Sequence, residues 1–163
     1  PNYQAQFIVE SEDDPAYAAL RALGAAVWVA GRATSCGQKV HNLAFAVKQG
    51  ILPDIYVFCD SDARFPPHWL SCLIAPLDSN NVTTGYRWYV ANRCHFPSLM
   101  RSAWNASSAG SLGGHNRNFA WGGSMAMRRA TFEKLRVLEE WRGSVSDDYS
   151  VTRAAQRGGM GRP

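Results

Sequence analysis

Long apolar runs are missing from this 163-residue sequence. A helix that crosses a bilayer needs roughly 20 apolar residues in a row, and no stretch comes near that. No signal peptide and no initiating Met are present, and "RGGMGRP" stops just after a predicted helix. The chain therefore reads as an internal piece of a longer protein, and its lack of membrane helices says nothing about the parent. Blocks of Lys and Arg are missing too. The net charge is only +4, so the phosphate-tracking surface of a nucleic-acid binder is not expected. Cys36, Cys59, Cys72 and Cys94 form no C-x-x-C pair, and no His stands at finger spacing. This argues against a zinc site. Reduced thiols are the expectation, with Cys59 buried in an apolar run.

The balance is that of one globular domain, with 46% hydrophobic and 18% charged residues. Repeats, linkers and low-complexity tracts are absent. Strand and helix signals alternate along the chain. Residues 4–10 and 25–31 read as strands, and residues 15–23, which begin at Pro15, read as a helix. In "QKVHNLAFAVKQG", Val40, Leu43, Ala44 and Val47 recur at helical spacing and Gly50 closes the helix. "IYVFCDSD" holds a continuous apolar run, which suits a parallel strand buried on both faces. "PPHWLSCLIAPL" is predicted helical from its prolines, and residues 82–90 strand-like. A helix is expected from Pro97 to about Ala109, then a strand broken by two glycines in "FAWGGSMAMRR". One helix is expected across "ATFEKLRVLEEW", and another after the capping serine of "SDDYS". This order predicts an α/β sandwich with a mostly parallel sheet.

In such sheets, ligands bind beyond the carboxyl ends of the strands. Asp60 and Asp62 stand there. Two carboxylates on one turn suit a hard divalent cation shared with substrate phosphates; a solvated turn or a helix cap would look the same. Asp13 and Asp14 end the first strand and are expected on the same sheet edge, either as acceptors for a nucleoside or as an acidic cap before Pro15. Lys39 and Asn42 open a helix where N–H groups and a cation can meet a phosphate; a solvated lysine is the plainer reading. Gly122 and Gly123 let backbone approach a ligand, or form a bulge. Asp147 and Asp148 stand at a helix start, as dipole-stabilising acids or with one of them as a general base. Trp88 and Trp104 are expected in the core rather than stacked on sugars.

The ordered set "SEDDPA", "QKVHNL", "CDSD", "WGGSM" and "SDDYSVTRAAQRGG" resembles the ceramide glucosyltransferase-like branch of the family 2 (GT-A) glycosyltransferases. The resemblance spans nearly the whole chain. It implies a GT-A αβα sandwich, incomplete at both ends, with residues 1–163 forming a single catalytic-domain fragment. It implies inverting transfer from a nucleotide sugar, usually a UDP-sugar, to a hydroxyl acceptor, with a lipid as the suggested one. Mg²⁺ or Mn²⁺ would be the cofactor, and the parent would sit at the cytoplasmic face of a membrane in glycolipid biosynthesis. Residue by residue, Asp14, beside Asp13, matches the acid near the uridine. Lys39 matches the lysine of the K-x-x-N helix, with Asn42 the asparagine of that spacing, and Asp60 and Asp62 match the metal motif. Asp148 matches the acid taken as catalytic base. Trp121, Gly122, Gly123 and Asp147 are assigned to the donor or acceptor pocket. A first strand with an Asn-Glu turn would precede Pro1, and a Q-x-x-R-W motif would follow Pro163. The Arg-Trp of "GYRWYV" is not that motif. Two rival readings are an aspartate-type phosphohydrolase, which also places D-x-D after a strand, and a nucleotide-sugar-binding module without turnover.

Overall fold

The computed structural model describes residues 2–50, 52–77, 82–91, 94–113 and 118–158. Its first unit is a small parallel pair. β1 (Phe7–Val9) leads through α1 (Pro15–Ala22) to β2 (Val27–Val29), with Ile8 opposite Trp28. Asp14 caps α1, its Oδ1 accepting from Ala16 N at 2.9 Å, and Pro15 follows at the first helical position. α2 (Gln38–Lys48) comes next, with Gly50 at φ 81° just past its end.

The second sheet is antiparallel. β5 (Ser124–Arg128) lies between β3 (Ile55–Cys59) and β4 (Val82–Thr84), pairing Phe58 with Met125 and Thr84 with Met125 from the other side. Among the described residues the expected mostly parallel sheet is not formed. The described strands make two small sheets, one parallel and one antiparallel. The physical reason lies in which strand is central. Met125, Ala126 and Met127 of β5 are fully buried. β3 has one strand neighbour among the described residues; Phe58 is its buried residue, and Cys59 is exposed rather than buried. An apolar run alone does not reveal how many neighbours a strand will have.

Side chains alternate across β5. Met125 and Met127 join a core with Val40 of α2, Phe58, Phe132 and Leu135 from α5 (Arg129–Lys134) and its end, and Val151, Ala154 and Ala155 of α7 (Asp147–Arg157). Ala126 faces the other way, against Leu73 and Leu77 from α3 (Trp69–Ile74) and the turn after it. α3 begins after Pro66 and Pro67, not at them. The single helix expected over 130–141 is two: α5 and α6 (Val137–Glu140), separated by Arg136 in the left-handed region at φ 53°. That break lets Val137 and Trp141 both reach the core. β4 ends at Thr84, so residues 85–90 are not strand. α4 (Phe96–Gly110) and α7 form where the periodicity places them.

Trp141 is 1% exposed. Its ring meets Phe58 edge-on at 5.5 Å and Phe132 at 5.7 Å, and its Nε1–H donates to the carbonyl of Asp147 at 3.2 Å. One side chain thus fills the core and fixes the start of α7. Trp141→Ala should cost about 3–5 kcal/mol of stability in urea denaturation. A loss below about 1 kcal/mol would show that the core does not depend on this ring.

Candidate active site

The site begins where β3 ends. Asp60 N donates to Gly123 O at 3.2 Å, which extends the β3–β5 pairing by one step and sets the carboxylate beside the 121–123 turn. The start of α2 is brought to the same place by the loop before α7. Gly37 N donates to Ser144 O at 2.9 Å, and a Cβ on Gly37 would lie 2.6 Å from Val145 O. Glycine is therefore required for this approach. Lys39, two residues further on, projects into the junction.

Lys39 Nζ stands 2.7 Å from Asp60 Oδ1, 3.0 Å from Gly122 O and 3.4 Å from Asp147 Oδ2. The last is an ion pair without hydrogen-bond geometry, so Asp147 Oδ2 is buried with no hydrogen-bond partner. Gly122 closes the ring. Its N–H donates to Asp148 Oδ2 at 3.0 Å, and a Cβ there would lie 2.3 Å from Asp147 Oδ2. Asp148 Oδ1 accepts from Ser146 Oγ and from Tyr149 N at 2.7 Å. Ser146 also caps α7 through Tyr149 N at 3.1 Å, as its place in the sequence predicts.

Burial divides the members. The Lys39 and Asp60 side chains are 41% and 29% exposed, whereas that of Asp147 is 8% exposed. Burial lowers the Lys39 pKa, but the hydrogen bond to Asp60 and the charges of Asp147 and Asp60 outweigh it, so the ammonium titrates above the usual lysine value. Burial raises the Asp147 pKa. Lys39 opposes this and Asp148 adds to it, and the net direction is upward.

The structure thus brings together Lys39, Asp60, Gly122, Asp147 and Asp148. Other candidates lie apart or do other work. Asp62 is exposed two residues beyond Asp60. Asp14 caps α1, and Asp13 is exposed beside it. Both follow β1, which belongs to the other sheet, so they do not share a sheet edge with Asp60. Asn42 ties α2 to β1, with Nδ2 3.4 Å from Ile8 O and Oδ1 accepting from Gln38 Nε2 at 2.8 Å. Gly123 has no room for a side chain beside the Trp121 ring, and Trp121 N is held by Thr84 Oγ1 at 2.9 Å. Sequence reasoning missed Gln38, which also binds Ala33 N and Gly31 O. Its position beside Lys39 at the helix start was the available signal.

Among the described residues, no three His, Cys, Asp or Glu side chains gather into a metal cage. Carboxylate oxygens such as those of Asp60 and Asp62 are the donor type that a hard cation takes when a substrate's phosphates supply the rest. Asp60 already holds a positive charge, that of Lys39.

The raised Asp147 pKa has a consequence for stability. The folded chain keeps a proton there at a pH where the unfolded chain has released it. This group's contribution is greatest below the ordinary carboxylate value and declines as pH rises through the interval above it. Asp147→Asn removes that decline. Thermal melts from about pH 4 to 8 should show the variant gaining on the wild type as pH rises. A difference constant across that range would contradict the burial argument.

Comparison with known proteins supplies the identity. No curated protein and no solved structure matches. Residues 1–161 match a protein family described as Glycosyl transferase family 21. With its acids, lysine and glycine turn gathered at one end of the antiparallel sheet, the chain belongs to glycosyl transferase family 21 and is a glycosyltransferase.

Proposed function

We propose that this chain is a single GT-A catalytic-domain fragment of an inverting hexosyltransferase. It would move the sugar of a UDP-sugar to a hydroxyl of a lipid acceptor, at the cytoplasmic face of a membrane. The observation that carries the reading is the convergence of Lys39, Asp60, Gly122 and Asp148 on one junction. Family membership supports transfer over the phosphohydrolase reading.

In inverting transfer, the acceptor oxygen attacks the anomeric carbon opposite the leaving nucleotide. A new C–O bond forms as the bond to the diphosphate oxygen breaks, and the nucleoside diphosphate leaves with that electron pair. The acceptor's proton must go to a base. Asp148 is our choice because it is the less buried of the two adjacent acids and Gly122 N–H fixes its Oδ2. Asp147 is buried against Lys39 and would position that lysine. Lys39 is partly exposed and would lend its charge to a phosphate. Mg²⁺ or Mn²⁺ held by Asp60 and Asp62 would spread the charge of the departing diphosphate. Asp14, with Asp13, would face the nucleoside, and Asn42 would keep the lysine-bearing helix in place. Trp121, Gly122 and Gly123 would line the pocket.

Two measurements test these roles. Calorimetry with Mn²⁺ should show UDP binding to the wild type and loss of its metal-dependent part in Asp60→Asn; equal affinities would remove Asp60 from the donor site. In the full-length protein, Asp148→Asn should lower turnover by about 10²–10⁴-fold, the usual worth of a general base, with donor affinity held within a few-fold. Near-normal turnover, or donor binding lost as in Asp60→Asn, would exclude Asp148 as the base.

A further inference from the structure

Helix α4 has its polarity reversed relative to a packed helix. Phe96, Leu99, Met100, Ala103 and Trp104 recur at i, i+3, i+4, i+7 and i+8, the spacing of a stripe that normally faces a core. Here that stripe faces outward. Phe96 is 75% exposed and Trp104 79%, with Leu99, Met100 and Ala103 exposed between them. The polar side turns inward. Asn105 is buried, its Oδ1 accepting from Tyr89 N at 2.8 Å, and Ser102 Oγ donates to Tyr89 O at 2.7 Å. Those bonds lay residues 88–90 alongside the helix. Trp88 and Val90, on either side of Tyr89, are exposed as well. The sequence-based expectation that Trp88 and Trp104 fill the core is overturned: their neighbours Tyr89 and Asn105 make the inward contacts instead.

The charge of this region is as one-sided as its polarity. Between Asp78 and Glu133 the sequence has no acid, and two arginines, Arg87 and Arg101, stand beside this face. Arg101 stands over the Tyr89 ring at 4.6 Å and donates to its hydroxyl at 3.2 Å, and Arg87 stands over the same ring at 4.9 Å. A large apolar patch on a domain surface marks an interaction site. An apolar stripe of Trp, Phe and Leu with arginines and no acids beside it has the composition of a helix that lies in a membrane interface. Tryptophan suits that depth, and arginine can reach the headgroups from it.

We propose that the outward face of α4, with Trp88 and Val90, docks on an anionic lipid bilayer. Among the described residues no helix is long and apolar enough to cross a membrane, and α4 offers one apolar face rather than an apolar circumference. Residues 85–91 connect this face to the active site. The Tyr86 ring meets Trp121 at 5.3 Å, and Arg87 stands over Trp121 at 5.5 Å. If the acceptor is a lipid, docking here brings it towards the 121–123 turn. The docking itself depends on no part of the transfer reading.

The test is cosedimentation with vesicles of phosphatidylcholine alone and of phosphatidylcholine with phosphatidylglycerol. The wild type should bind the phosphatidylglycerol vesicles more strongly, and brominated acyl chains should quench its tryptophan fluorescence. The variant Phe96→Ser/Trp104→Ser should lose at least tenfold in vesicle affinity while melting as the wild type does, because both side chains are exposed. Arg101→Gln should weaken binding to the phosphatidylglycerol vesicles alone. Equal binding by wild type and double variant would overturn the proposal. So would absence of binding to either vesicle, or a concentration-dependent dimer abolished by the double variant, which would assign the face to a second copy of the chain. None of these outcomes depends on sugar transfer, so either reading can fail without the other.

Discussion

One ammonium group holds the candidate site together. Lys39 joins the start of α2, the end of β3, the glycine turn before β5 and the start of α7 through Asp60, Gly122 O and Asp147. Its worth is not mainly stability. A partly exposed pair such as Lys39–Asp60 contributes about 0–1 kcal/mol, small beside the several kcal/mol assigned to a buried tryptophan. What Lys39 supplies is compensation. Asp147 is buried with an oxygen that has no hydrogen bond, and a charge in that setting is costly unless a partner stands near.

The core and the site are coupled through Trp141. It packs on Phe58 of β3 and Phe132 of α5 and bonds the carbonyl of Asp147. The strand that delivers Asp60 and the helix that delivers Asp147 and Asp148 are thus held to the same aromatic cluster. At Gly37 and Gly122 the backbone comes too close to the segment that starts α7 for any side chain. Gly37 faces Val145 and Gly122 faces Asp147. The site is a junction of element ends, where backbone N–H and C=O groups meet charged side chains without disturbing the packed layers.

The sequence made the helices readable where spacing and caps agreed. α1 follows its acid and Pro15, α2 follows its apolar repeat and Gly50, and α7 follows Ser146. The sheet was not readable, because the run at 55–59 carries no information on its neighbours and β5 proved to be the central strand. The break at Arg136 had no glycine to announce it. The orientation of α4 was equally hidden: periodicity locates an apolar face but does not say what covers it. In the site, Asp60 and Lys39 were legible as candidates, but their direct contact was not. Spacing did not tell the adjacent acids apart; only the resemblance assigned the base to Asp148. Successive helix residues point about 100° apart, so Asp147 turns in to Lys39 while Asp148 reaches Gly122 N–H. Asp14 took the capping role that its place before Pro15 had left open.

The central claim is that Lys39 compensates the buried Asp147 charge. A double-mutant cycle on folding stability at neutral pH, with Lys39→Met and Asp147→Asn, measures that coupling directly. Side chains in contact couple by about 0.5–3 kcal/mol. The account predicts a value in that range, with Lys39→Met less harmful when Asp147 is already Asn. Additive effects of the two substitutions would contradict it.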